Sequence, residues 1–69
     1  MSQQLGTSSF SLANNKFKVS FFMRDADVAV VRSVNILNGP VLSRELLSLA
    51  DARKKYRFYR DKLGYKVAL

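Results

Sequence analysis

The sequence holds no cysteine and no histidine. The first absence excludes disulfides, and the two together remove the usual ligands of structural zinc. They also remove the commonest general base and the strongest nucleophile. Acids are scarce, five against twelve Lys and Arg. Asp25 and Asp27 stand in a polar break at i, i+2, without the further oxygens of a calcium loop. Glu45, Asp51 and Asp61 are scattered, with Asp61 placed to pair with Arg57 or Lys62 at the surface. The three glycines cannot build a phosphate-cradling loop. These shortages point away from an enzyme, and they imply no metal and no cofactor.

Long apolar runs are missing too. Nothing approaches the roughly 18–20 residues that cross a bilayer, and residues 1–9 lack the basic head and apolar stretch of a secretory signal. The reading is a soluble cytoplasmic protein, for which the lack of cysteine fits a reducing compartment.

What is present is a small, hydrophobic and basic chain. Its 69 residues allow one domain, which buries only about 60% of its unfolded surface and has a marginal core. A hydrophobic content of 48% speaks for a folded protein. The net charge of +7 attracts polyanions without directional contacts.

Residues 1–15 are polar and read as a flexible arm, with a short β contact at Phe10-Ser11-Leu12. The folded domain is expected over residues 16–69. From Lys16 the chain alternates, as a half-buried strand does, with Phe17, Val19, Phe21 and Met23 inward. Lys16, Lys18, Ser20, Phe22 and Arg24 then face outward. Arg24-Asp25-Ala26-Asp27 suits a four-residue hairpin loop. Residues 28–37 are rich in β-branched side chains and form the next strand. Its inward set would be Val28, Val30, Val34 and Ile36, which leaves Arg32 on the same face; either a bulge resets the phase or Arg32 lies at the edge of the core. Asn38-Gly39-Pro40 marks a turn.

Residues 41–47 fit either a strand or the start of a helix. The preceding turn and the cap signature Ser48-Leu49-Ala50-Asp51 favour a third strand. A helix follows from Leu49 to Leu63 and stops at Gly64, and residues 65–69 form a tail suited to docking in extended form. The predicted fold is α+β: a small antiparallel three-stranded sheet followed by one C-terminal amphipathic helix, in the order β-β-β-α.

Stepping about 100° per residue, Leu49, Ala52, Tyr56, Tyr59 and Leu63 share one helix face and belong to the core. Arg53, Arg57 and Arg60 form a second stripe beside it. These arginines either cover the rim of the core with their stems or grip phosphates and carboxylates. Phe58 points outward between Lys54 and Lys62, and Phe22 is outward on the sheet, framed by Lys16, Lys18, Arg24 and Arg44. The candidate nucleic-acid or acidic-partner contacts are thus Arg53, Lys54, Arg57, Arg60, Lys16, Lys18 and Arg24. The candidate protein-interface anchors are Phe58 and Phe22.

The pattern Leu47-Ser48-Leu49-x-x-Ala52-Arg53-x-x-Tyr56-x-x-Tyr59-x-x-x-Leu63-Gly64-Tyr65 resembles the closing helix of short uncharacterised cyanobacterial proteins, over about a third of the chain. In outline, three strands and a helix also resemble AP2-type and integrase arm-type DNA-binding domains. Those domains carry their reading arginines on the sheet, whereas the densest basic cluster here is on the helix. The functional expectation is a non-catalytic basic domain that contacts nucleic acid. The alternatives are an accessory or adaptor subunit docking on an acidic protein surface, and a homo-oligomeric structural protein.

Overall fold

The computed structural model describes residues 9–68. They form one antiparallel sheet with a helix packed on one of its faces. The strands are β1 (Ser9–Ala13), β2 (Phe17–Met23), β3 (Val28–Val34), β4 (Val41–Leu47) and β5 (Lys66–Ala68). The helix α1 (Leu49–Arg57) lies between β4 and β5 and continues without a break into a π turn, Phe58–Lys62. The sheet order is β4-β3-β2-β1-β5.

The sheet therefore has five strands, not the expected three. The added strands lie on the same side of β2. Residues 9–13, read as part of the arm with a short β contact at 10–12, form a full strand that pairs along β2 from Ser9↔Phe22 to Ala13↔Lys18, and the extended tail pairs with β1 from Ser11↔Ala68 to Ala13↔Lys66. Both are short and rich in small or polar residues, so neither carries a long hydrophobic alternation of its own. The rest of the expected arm, residues 1–8, lies outside the described residues.

The β1–β2 hairpin is set by Asn14. Its side-chain oxygen accepts from the amides of Lys16 (2.8 Å) and Phe17 (2.7 Å), which is the local bonding that suits Asn to turns. Asn35 ties the next connection to it, donating its side-chain amide to the Asn14 carbonyl at 2.8 Å. The β2–β3 loop is the four-residue hairpin expected, closed by Arg24 N–H to Asp27 C=O at 3.0 Å.

The core is made by Leu12, Val19, Phe21, Val28 and Val30 from the sheet, with Ala52, Tyr59 and Tyr65 above them. Phe17, Met23, Leu47 and Tyr56 pack at its margin. Alternation thus placed the inward side of β2 correctly. Ile36 does not join the core and is 65% exposed, because β3 ends at Val34. The Val34 amide already bonds the Pro40 carbonyl (3.1 Å), and Gly39 N–H returns to Ile36 C=O (2.9 Å). The register irregularity falls between Arg32 and Ser33, which pair with Ser43 and Val41. The extra residue is thus in β4, the phase of β3 is not reset, and Arg32 sits at the edge of the core over the Phe17 ring (5.8 Å).

Ser48 caps α1, its hydroxyl accepting from the Asp51 amide at 3.2 Å. Ala52, Tyr56 and Tyr59 face the sheet as expected, whereas Leu49 and Leu63 are exposed. In the π turn the Leu63 amide bonds the Phe58 carbonyl, so the 100° step no longer applies and Leu63 is carried off the core stripe. Gly64 follows with φ of +73°, and Tyr65 then turns back under Tyr59 with the ring centroids 5.0 Å apart.

Candidate functional site

α1 covers one face of the sheet, and among the described residues no element covers the other. Directly paired residues share a face, so the register defines three rows on the open side. The first is Leu46–Ala29–Phe22–Ser9 and the second Arg44–Val31–Ser20–Ser11. The third is Val41–Ser33–Lys18–Ala13–Lys66. Small side chains dominate, so the few large ones stand clear. Phe22 is 37% exposed and flanks a depression bounded also by Arg24, Ala29, Val31, Arg44, Glu45 and Leu46. The Ser11 and Ser20 hydroxyls, 3.1 Å apart, bond to one another across the middle row.

None of the five acids stands in these three rows. Asp25 and Asp27 are in the β2–β3 hairpin. There Arg24 Nε lies 2.8 Å from Asp27 Oδ1, a charge contact without hydrogen-bond alignment. Glu45 is in β4 but points to the helix side, where its carboxylate meets Lys55 Nζ at 3.2 Å. Asp51 and Asp61 are on the helix. Lys18, Arg44 and Lys66 are consequently the only charges in the three rows.

The basic residues singled out in the sequence are divided between two sides. Lys18 is on the open face, as is Arg44 two strands away. Lys16 lies in the β1–β2 turn at one end of the sheet, and Arg24, held by Asp27, lies at the other. Lys66 joins them only because β5 pairs with β1, a pairing with no signal in the tail's own sequence.

Arg53, Lys54, Arg57 and Arg60 are on the helix, in the other layer. They are not a uniform stripe. Arg53 borders an apolar groove between helix and sheet. Arg60 folds over the Tyr56 ring at 5.6 Å and is tied by its Nε to Asp61 Oδ1 at 2.8 Å, so Asp61 pairs with neither Arg57 nor Lys62. The hydrogen bond from Arg60 is the main cause that lowers the Asp61 carboxyl below the ordinary aspartate value, and it raises Arg60 in turn.

Phe58 is on the outside of the helix, 51% exposed, with Leu63 at 48%. The i+5 to i hydrogen bond widens this turn, which sets Leu63 roughly above Phe58. Lys54 and Lys62 stand four residues to either side of Phe58.

Among the described residues no three His, Cys, Asp or Glu side chains converge on a common point, and no helix is long and apolar enough to cross a membrane. No known protein family, curated protein or solved structure matches the chain.

Proposed function

We propose that this chain is a non-catalytic binding domain whose open sheet face holds single-stranded nucleic acid. The observation that carries the reading is the distribution of charge: no acid stands in the three rows, while Lys18, Arg44 and Lys66 do, with an exposed ring, Phe22. Lysine and arginine neutralise phosphates and release their counterions. An aromatic ring offers a stacking surface for any base, provided the base is unpaired. Lys18 and Phe22 are four residues apart on one strand, roughly 13 Å, so a base on the ring leaves its neighbouring phosphates within reach of the long basic side chains. A second copy is a poor occupant, because two such faces would oppose cations with no acid in their rows.

The test is fluorescence anisotropy with a labelled single-stranded oligonucleotide and its duplex, across a salt series. Single strands bind more tightly, with a slope of log K against log salt of about −2 for three phosphate contacts. Phe22→Ala weakens binding without changing the slope, and Lys18→Ala makes the slope shallower. Undetectable binding, affinity indifferent to salt, or a silent Phe22→Ala would sink the proposal.

A second reading rests on the π turn. Phe58 and Leu63 together form an exposed apolar pair edged by Lys54 and Lys62, which suits an acidic protein surface with a hydrophobic pocket. This is the accessory-subunit alternative, and it uses the opposite side of the molecule.

A further inference from the structure

We propose a second binding site on the helix side of the sheet: the groove between α1 and the β1–β2 pair takes the alkyl tail of an anionic amphiphile, and Arg53 holds its carboxylate.

The groove encloses about 400 Å³ and is bounded by Phe10, Phe21, Met23, Leu49, Arg53 and Tyr56, a volume in the range of small-molecule sites. Phe21 is buried beneath it, its ring edge-on to Tyr56 with centroids 5.6 Å apart. Phe10 from β1 and Leu49 from the first turn of α1 are both exposed at its margins. Two large apolar side chains are thus left wet around an apolar depression, and an alkyl chain laid between them removes that surface from water.

Its lining also excludes other ligands. Among the described residues that line it, the only charged side chain is Arg53, and apart from it only the Tyr56 hydroxyl can hydrogen-bond. A sugar or nucleotide would bury hydroxyls and ring nitrogens without partners, which is costly. A chain of methylenes has none to satisfy.

The charge fixes the other end of the ligand. The ion pairs among the described residues join Arg24 to Asp27, Lys55 to Glu45 and Arg60 to Asp61, so Arg53 has no carboxylate, and no acid borders the groove. A guanidinium in that position attracts a carboxylate head, which it can grip with two hydrogen bonds. It repels a cationic head. The whole thickness of the sheet separates this site from the face proposed for nucleic acid, and the two stand or fall independently.

Titration calorimetry of the full chain with decanoate, decanol and decyltrimethylammonium tests this. Decanoate binds one to one, and the cationic analogue at least about tenfold more weakly. Arg53→Leu lowers decanoate affinity about tenfold, the loss of one charge-assisted contact, and leaves decanol unchanged. Leu49→Glu places a carboxylate at the mouth of the groove, at a helix N-terminus that tolerates an acid, and abolishes decanoate binding while oligonucleotide binding persists. Equal affinity for the three head groups, or decanoate binding that survives Leu49→Glu, would overturn the proposal. So would a failure of the full chain to bind decanoate at millimolar concentration.

Discussion

The Leu63 amide donates to the Phe58 carbonyl at 3.2 Å, five residues back along the chain. This bond removes Leu63 from the core and places it on the outside with Phe58. Neither side chain then contributes much to holding the fold. Replacing both with alanine is expected to change the free energy of urea unfolding by less than about 1 kcal/mol, as for other surface substitutions. A large loss would mean that the pair packs against something within the molecule.

Leu12 behaves oppositely. It is fully buried between β2 and β5, paired with Val19 and Val67. Leu12→Ala removes core contacts and leaves a cavity, at a cost of about 2–5 kcal/mol. For a domain this small that is a large part of the total stability. Urea denaturation should show a lower midpoint with an unchanged slope.

At Gly64 the cost is backbone strain alone. Its φ is +73°, and a Cβ built there meets nothing within 4 Å. Gly64→Ala should therefore destabilise by about 1 kcal/mol, and Gly64→Asn by less, because asparagine tolerates this region better. Thermal melts of the two variants give the comparison.

The Arg60–Asp61 pair makes a prediction about pH. The hydrogen bond from Arg60, followed in effect by its charge, holds the Asp61 carboxyl below its ordinary value. A carboxyl depressed in the folded state contributes stability that is present above its unfolded pKa and is lost as pH falls through the folded one. Both groups are exposed, so the contribution is small and weakens with salt. A carboxyl carbon titration by NMR should place Asp61 below the ordinary aspartate value, and Arg60→Ala should return it toward that value.

Much of this fold could be read from local chemistry. The inward side of β2, the Arg24–Asp27 hairpin, the Ser48 cap and the left-handed Gly64 each depend on a few neighbouring residues, and each is found in the structure. β1 and β5 were legible only in part, as a short β contact at residues 10–12 and a tail that docks extended. A strand of three to five residues such as Ser9–Ala13 or Lys66–Ala68 is defined by its partner, and the partner is far away in sequence. Leu63 was misplaced for another reason: angular arithmetic assumes one helical step, and the π turn changes it. Ile36 continued an apolar pattern past the point where Pro40 had closed the strand. For the candidate site, alternation was enough to put Phe22 and Lys18 on one face. It could not reveal that no acid stands in the three rows, since the side taken by Glu45 depends on the register of β4 and on Lys55.

The pairing of β1 with β5 also orders events in time. Ser11 meets Ala68, the longest sequence separation of any pairing in the sheet, and closing so long a loop is entropically slow. During synthesis the β2–β3–β4 meander is available for pairing well before Lys66–Ala68 leaves the ribosome. Until Lys66–Ala68 pairs, β1 is an unprotected edge, and the nascent domain is most exposed to misassembly before β5 docks.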